Sequence, residues 1–289
     1  MIMESFALRQ FKESDIKFAY EMTKIEGWNY PEKDIKRMLS YNPLGCFIAE
    51  TDDERMGHVF SVNYGKLGWI GLLVVRAECR EKGVGTALMK KAINHLLTNG
   101  VETIRLEAVS AIAIVYRKLE FVDEYDSLRF WGTNRKIDSA TSSNVKPLKE
   151  EMIKEVARFD AEYFGANRIN VLNSLYHDHP NSCFVSYAES KLVGYIMCRK
   201  AEEGYRVGPW VCNPENPQAA RKLLTKRMET IEENEKLYVG VPAVNKKAVE
   251  ILQNFGFEQY SKSIRMCFGK KLEAERASDI FAIGGPEKG

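Results

Sequence analysis

The chain has 289 residues, of which 45% are hydrophobic and 28% are charged, and its formal net charge is +2. This composition is typical of globular proteins, and the length favours two domains over one. The near balance of charge gives no global signal for nucleic acid or an anionic membrane. The six cysteines show no Cys-x-x-Cys spacing, and neither a signal peptide nor a membrane-length apolar run is present. We therefore expect a cytoplasmic protein with no nucleic-acid or membrane partner, as a monomer or a homodimer.

Apolar periodicity and turn residues predict alternating helices and strands in the first part of the chain. A loop rich in polar and aromatic side chains, at residues 26–31, separates the first two helices. In chain order, the expected elements are strand 6–9, helix 16–22, helix 34–39, strands 46–50, 57–63 and 69–75, helix 86–97, strand 103–109, helix 111–119 and strand 125–131.

A polar stretch rich in Ser and Thr follows, and it predicts a linker at 137–146 between a first domain at 1–136 and a second at 147–289. After it, similar elements recur: helix 150–159, strands 183–188, 192–200 and 205–212, helix 217–232, strand 237–241, helix 246–255 and strand 264–268. Because the order of elements is used twice, we expect a tandem duplication of one α/β unit, with two similar domains packed side by side.

The most informative segment is a hydrophobic strand that leads through a two-glycine loop into a helix. Gly83 and Gly85 have no side chains, so backbone N–H groups can approach an anion closely, and the helix dipole favours negative charge. A P-loop would have Lys followed by Ser or Thr after its last glycine, whereas Thr86 and Ala87 follow here. The dinucleotide fingerprint would have a third glycine or an alanine where Leu88 stands. The loop therefore predicts a phosphate site of another kind.

The pattern Arg80-x-x-Gly83-x-Gly85 resembles the pyrophosphate loop of the GNAT superfamily of acyl-CoA N-acyltransferases. The resemblance implies an α/β chain (α+β by some schemes) of tandem GNAT folds, each with a mixed, mainly antiparallel central sheet flanked by helices. It also implies acetyl-CoA as co-substrate, with no metal. By position in the motif, the residues expected to bind acetyl-CoA are Leu73, Val74, Val75, Arg80, Glu81, Lys82, Gly83, Val84, Gly85 and Thr86.

The resemblance extends to a tyrosine downstream of the loop. In the family, a helix after the fifth strand carries a tyrosine near the CoA sulfur, and Gly-Phe follows. Here Tyr116 and Phe121 keep that spacing, although Glu120 replaces the usual glycine and makes the turn less certain. By position Tyr116 is implied to protonate the leaving thiolate. The alternative is a core tyrosine whose hydroxyl is satisfied by other protein groups.

The general base is the least clear part of the predicted site. Relatives often place a carboxylate on the strand before the loop, and residues 69–74 contain none. Glu26, in the loop beside Trp28, and Glu107, on a predicted strand, are the candidates, with Glu107 the weaker one, and a water relay with no single base stays open. Trp28 and Asn29 are expected to bind the acceptor. Cys79 has no nearby His in the sequence, so direct attack in a ternary complex is expected over an acyl-cysteine route.

Two further signals are weaker. His177-Asp178-His179 is interpreted as an exposed loop before Pro180 rather than as a metal site. Arg158 and Arg168 could contact the other domain or the substrate, or lie on the surface.

The second half lacks the features that carry the chemistry in the first half. Its loop at residues 212–217 has prolines, which lack N–H donors, and Glu215, which would repel a pyrophosphate. Leu252 stands at the tyrosine position. Segments at 160–168, 241–245, 254–257, 265–266 and 281–286 resemble the second domain of two-domain acetyltransferases. We therefore expect acetyl-CoA to bind in the first domain only.

The sequence thus predicts an acetyl-CoA-dependent N-acetyltransferase that acts on a primary amine. The alternative is a non-catalytic acyl-CoA-binding or regulatory protein. Small polyamines, amino acids, antibiotic-like amines and protein amines all stay open as acceptors.

Overall fold

The computed structural model describes residues 6–52, 54–135, 144–271 and 275–289. The helices are α1 Ile16–Ile25, α2 Glu32–Tyr41, α3 Val84–Thr98, α4 Ala113–Arg117, α5 Ile153–Phe164, α6 Ile169–Asp178, α7 Pro217–Glu229 and α8 Lys246–Asn254. The strands are β1 Ala7–Gln10, β2 Phe47–Glu50, β3 Arg55–Asn63, β4 Leu67–Val75, β5 Thr103–Val109, β6 Val122–Thr133, β7 Val145–Pro147, β8 Phe184–Ala188, β9 Lys191–Lys200, β10 Tyr205–Cys212, β11 Lys236–Pro242, β12 Glu258–Gly269 and β13 Ile280–Ala282. No helix in these ranges is long and apolar enough to cross a membrane.

All the predicted elements are present, but three short ones are additional: α6, β7 and β13. The interpretation of residues 177–179 as an exposed loop was wrong, because His177 and Asp178 form the last turn of α6. Asp178 forms an ion pair with Arg37 of α2, at 2.5 Å, and so joins the two halves of the chain. Arg168 is buried and forms an ion pair with Asp160 of α5 at 2.7 Å, which excludes the surface role.

The strands form one continuous sheet in the order β1-β2-β3-β4-β5-β12-β6-β11-β10-β9-β8-β7, with β13 paired to β10. Only β4 with β5 and β10 with β11 are parallel among the described pairs, and the other pairs are antiparallel. The predicted fold class, a mixed and mainly antiparallel sheet flanked by helices, is confirmed.

The centre of the sheet shows an exchange of strands between the halves. β12, the last long strand of the second half, lies between β5 and β6, with Ile264 opposite both Ala108 and Asp126. β6, the last strand of the first half, lies between β12 and β11, with Phe130 opposite Val239. Each half therefore completes its sheet with a strand from the other.

The predicted domain limits divide the sequence, but they do not divide the sheet, which is continuous across them. The predicted linker falls at 137–143 outside the described residues, whereas Val145 and Lys146 belong to β7, which pairs with β8. Because the hydrogen-bond ladder crosses the middle of the sheet without a break, we expect the two halves to unfold together.

Helices cover both faces of the sheet in a way that repeats between the halves. On one face, α3 packs Leu88, Ala92 and Leu96 against β3 and β4, at the four-residue spacing of one helix face. In the second half α7 does the same with Ala220 and Leu223 against β8 and β9. The opposite face is covered by α1 and α2 in the first half and by α5 and α6 in the second.

Candidate active site

The strand before the glycine loop separates from its neighbour. β4 pairs with β5 only from Leu67 to Trp69, and no ladder partner for β4 follows on that side in the described chain. Against β3 the register shifts near Leu72, whose φ of 49° is in the left-handed region. Such an outlier costs free energy and is common at functional sites. Beyond Trp69, β4 is thus separated from β5, and Leu73 on this stretch lines the cavity described below.

The predicted phosphate loop has the backbone geometry of an anion site. Glu81 and Gly83 adopt left-handed conformations, with φ of 63° and 84°, and Gly83 is the N-cap of α3. The first helical bond runs from the Ala87 N–H to the Gly83 carbonyl, at 3.0 Å. The N–H groups of Val84, Gly85 and Thr86 therefore have no acceptor within the helix, and no capping side chain serves them.

This loop also has room for a ligand. A Cβ atom added to Gly83 would meet no heavy atom within 4 Å. Unsatisfied N–H donors at a helix N-terminus, next to a glycine with free space beside it, fit a pyrophosphate. No group of three or more His, Cys, Asp or Glu side chains that could hold a metal occurs in the part of the chain that the structure describes.

Two of the predicted site residues contact each other. The Arg80 guanidinium donates a hydrogen bond to the Glu26 carboxylate and another, of 3.0 Å, to the Val75 carbonyl. Arg80 thus ties the phosphate loop to the end of α1 and to β4. Because the carboxylate of Glu26 is held in this ion pair and does not line the cavity described next, its geometry argues against a role as general base.

A cavity of about 610 Å³ lies between the two halves. The first half contributes the predicted residues Trp28, Asn29, Leu73 and Tyr116 to its wall. From the second half, the lining residues include Glu202, Glu203, Arg206, Tyr238, Tyr260 and Glu287. The sequence therefore indicated one side of the site, and the other side comes from residues far away along the chain.

Tyr116, the predicted proton donor, lines this cavity. Its side chain is buried, its ring packs edge-on against Phe121, and its hydroxyl has no hydrogen-bond partner among the described residues. Burial raises the pKa of Tyr116 to about 12, so the phenol stays protonated at neutral pH. The alternative of a core tyrosine with a satisfied hydroxyl does not match this geometry. Glu120 adopts the left-handed conformation of the family's glycine, with φ of 66°, and the turn is kept.

Glu107 is a fully engaged carboxylate. It accepts hydrogen bonds from Arg265 Nε at 2.8 Å, Ser263 Oγ at 2.5 Å and Arg129 Nη2 at 3.1 Å. Burial works against its ionisation, but Arg265 and Arg129 outweigh it and hold the pKa of Glu107 below its ordinary value. A carboxylate with these partners has no free lone pair to take a proton from the amine substrate. Glu107 therefore balances the charge of the arginines rather than acting as base.

Asn29 connects the two halves. Its side-chain amide exchanges two hydrogen bonds of 2.8 Å with the backbone of Glu203, and its backbone carbonyl accepts from Arg206 Nε at 3.2 Å. The geometry therefore assigns Asn29 to holding the β9–β10 turn, and it leaves Trp28 as the half-buried aromatic wall of this loop.

Residues 283–289, which the sequence did not place, run along the back of the cavity. The Pro286 carbonyl accepts from Trp69 Nε1 at 2.9 Å, and the Glu287 carboxylate accepts from the Tyr30 hydroxyl at 2.5 Å. Glu287 also forms an ion pair with Arg199, at 3.2 Å. Desolvation of this buried carboxylate opposes its charge, but Lys288 and Arg199 lower the pKa of Glu287 to about 2. No local sequence signal links a residue near position 287 to β4.

The second half has the same splay, but the chain itself fills it. β10 and β11 pair only through residues 205–207 of β10, and β13 then pairs with β10 through Trp210 and Val211. The Ile283 N–H continues to the Gly240 carbonyl at 2.9 Å. Leu252 is at the position of Tyr116. The Phe257 N–H donates to the Leu252 carbonyl just as the Phe121 N–H donates to the Tyr116 carbonyl. The gap that is open beside β4 is therefore closed beside β10.

Comparisons with known proteins agree with this duplicated architecture. Residues 12–121 match the acetyltransferase (GNAT) family, and residues 156–282 match an acetyltransferase (GNAT) domain. Holothin acyltransferase from Pseudoalteromonas sp. (strain SANK 73390) is 25% identical over 271 residues, which cover 93% of this chain and 90% of that protein.

Solved structures show the same arrangement. A putative acetyltransferase from Pyrococcus horikoshii is 26% identical with a TM-score of 0.84, and the match covers 100% of this chain and 98% of that one. A tandem GNAT protein from the clavulanic acid biosynthesis pathway shares the fold at 12% identity, with a TM-score of 0.64 over 92% of this chain and 98% of that one. The chain therefore belongs to the GNAT superfamily, in which it is an acyltransferase with two GNAT domains in tandem.

Proposed function

We propose that this chain transfers an acetyl group from acetyl-CoA to a primary amine by direct attack in a ternary complex. One observation carries the proposal: a single cavity meets both the splayed end of β4 and the unpartnered hydroxyl of Tyr116. The phosphate loop around Gly83 follows directly from that strand.

Each part of the first half has a separate role in this proposal. The free N–H groups at the start of α3 bind the pyrophosphate, helped by the helix dipole. Backbone N–H groups at residues 73–75 stabilise the charge that develops on the carbonyl oxygen. Tyr116 donates its proton to the sulfur that leaves. Acetyl-CoA supplies the activated acyl group as a thioester.

The proton of the amine goes to solvent in this proposal. Glu26, Glu107, Glu203 and Glu287 all form ion pairs with Arg or Lys, so none of them is a free base. Among the described carboxylates of the cavity, Glu202 alone has no basic partner; it is exposed at the rim and accepts from the Tyr20 hydroxyl at 2.8 Å. Water can carry the proton of the amine to solvent at this exposed rim. Since an alkyl amine has a pKa near ~10.4, we expect kcat/KM to rise with pH through the neutral range.

The direct test is a turnover screen across classes of amine, with release of free CoA thiol as the readout. We expect thiol release that depends on both acetyl-CoA and an amine, and a mass increase of one acetyl group on the amine. Tight binding of acetyl-CoA without turnover of any amine would instead support the non-catalytic acyl-CoA-binding protein.

A further inference from the structure

Resting on the proposed function, we propose that the acceptor is a small amine that also carries a carboxylate, and that Arg206 of the second half binds this carboxylate. The amine would face β4 and Tyr116, while the carboxylate would face β10. The second half would then select the acceptor, and the first half would hold the acetyl donor.

The guanidinium of Arg206 is bonded through its Nε, and its two terminal nitrogens are left without a partner in the described structure. Its Nε donates to the backbone carbonyl of Asn29 at 3.2 Å, and its guanidinium carbon lies 4.5 Å from the centre of the Tyr30 ring. Within the described ranges, its two terminal nitrogens have no hydrogen-bond acceptor, and it forms no ion pair. A planar fork fixed in this way matches the two oxygens of a carboxylate.

The neighbouring arginines differ from Arg206 in this respect. Arg129 binds Glu107 at 3.1 Å, and Arg199 binds Asp34 at 2.9 Å and Glu287 at 3.2 Å. Their charges are therefore compensated inside the protein. Arg206 contributes to lowering the pKa of Glu287 at a distance, but Glu287 already has its own bonded cations in Arg199 and Lys288. The charge of Arg206 is thus available to a ligand.

A small recess extends the cavity at this point. Its volume is about 20 Å³, enough for about one water-sized group, and Arg129, Arg199 and Arg206 all line it together with Tyr238 and Tyr260. Four of these residues, all except Arg199, also line the large cavity, so the recess opens from it. The recess has room for one oxygen of a carboxylate, and the uncompensated guanidinium of Arg206 beside it favours an anionic oxygen over an apolar group.

The test uses acceptors in pairs that differ only in the carboxylate: glycine with glycinamide, and β-alanine with β-alaninamide. Each is assayed by thiol release with the wild-type chain, Arg206→Gln and Arg206→Lys. Arg158→Gln is the control, because Arg158 is an exposed arginine of α5 outside the cavity. Dividing each variant's kcat/KM by the wild-type value cancels the different amine pKa values of acid and amide.

We expect the wild type to prefer the carboxylate acceptors once kcat/KM is expressed per concentration of unprotonated amine. Arg206→Gln should lower kcat/KM for them by about 10- to 100-fold, mainly through KM, and change the amides by less than about threefold. Arg206→Lys should recover part of the loss. Equal effects of Arg206→Gln on acid and amide would overturn the proposal. So would a wild-type enzyme that uses amides as well as acids per concentration of unprotonated amine.

The two proposals fail in different ways. If no amine of any class is acetylated although acetyl-CoA binds, the proposed function is wrong. If neutral amines are acetylated and Arg206→Gln acts on them as strongly as on acids, only the carboxylate proposal is wrong. Should Arg206→Gln not fold, the wild-type ratio of acid to amide, per concentration of unprotonated amine, decides by itself, and a ratio below about two overturns the proposal.

Discussion

The Cα atom of Glu287 lies 2.5 Å from the place that a Cβ atom on Gly71 would occupy. β4 can therefore carry only glycine at this position while residues 283–289 pack against it. Glu287 thus joins the cavity wall through a close contact with β4 that requires glycine at position 71.

Gly71→Ala should destabilise the chain, because the new methyl group would meet backbone atoms of Glu287 that cannot move alone. We expect a loss of about 1–3 kcal/mol in the free energy of unfolding, measured with urea. Gly85→Ala is the control, since its Cβ would meet only Val75 Cγ2, at 3.6 Å. Equal stability of both variants would show that residues 283–289 do not pack on β4 as described.

Gly85→Glu should abolish acetyl-CoA binding while the fold is kept. Gly85 lies in the first turn of α3, where a negative charge stabilises the helix but repels a pyrophosphate. We expect binding heat to disappear in calorimetry for Gly85→Glu and to persist for Gly85→Ala. Full binding by the glutamate variant would place the pyrophosphate elsewhere.

Glu120→Gly should stabilise the chain by about 1 kcal/mol, because Glu120 holds φ at 66°, which only glycine adopts without strain. The matched position in the second half is Gly256, with φ of 78° and no atom within 4 Å of an added Cβ. Gly256→Ala should therefore destabilise for purely conformational reasons. Urea unfolding of both variants checks the pair, and shifts in the same direction would refute the argument.

Tyr116→Phe should lower kcat by about 100-fold with little change in stability, because the hydroxyl makes no hydrogen bond within the described chain. The control is Tyr64→Phe, which removes a 2.7 Å hydrogen bond from the Tyr64 hydroxyl to the Lys288 carbonyl. That variant should lose about 1 kcal/mol of stability instead. Unchanged turnover in Tyr116→Phe would remove the proton-donor role.

His58 should make the fold sensitive to acid. It is buried, neither ring nitrogen has a hydrogen-bond partner in the described structure, and burial lowers its pKa to about 3 against a small opposing effect of Asp15. The unfolded chain takes up this proton below about pH 6.5, whereas the folded chain does not until about pH 3. The free energy of unfolding should therefore fall as the pH drops through this window.

His58→Leu tests that expectation. The variant removes the titrating group and two unsatisfied polar atoms from a pocket formed by Phe11, Phe18 and Phe60. Its stability should fall less steeply between pH 6.5 and 4 in urea titrations. Parallel pH profiles for the variant and the wild type would contradict the assignment.

The sequence was informative where the signal is local. A strand, two glycines and a helix, followed by a tyrosine at a fixed spacing, predicted the phosphate loop and Tyr116 from neighbouring residues. It failed for contacts over long separations, such as Glu26 with Arg80, or Glu287 with Gly71. Helix α6 was not predicted from the sequence, although it is as long as α1 and α2, which were. The exchange of β6 and β12 could not be predicted, since both strands have ordinary strand patterns.

The central claim is that one chain builds one acetyl-CoA site, beside β4, because residues 280–283 close the equivalent gap beside β10. Isothermal titration calorimetry of the full chain with acetyl-CoA tests this most directly. We predict one molecule bound per chain, and none bound to Gly85→Glu. Two molecules per chain, or binding that survives in Gly85→Glu, would contradict the account.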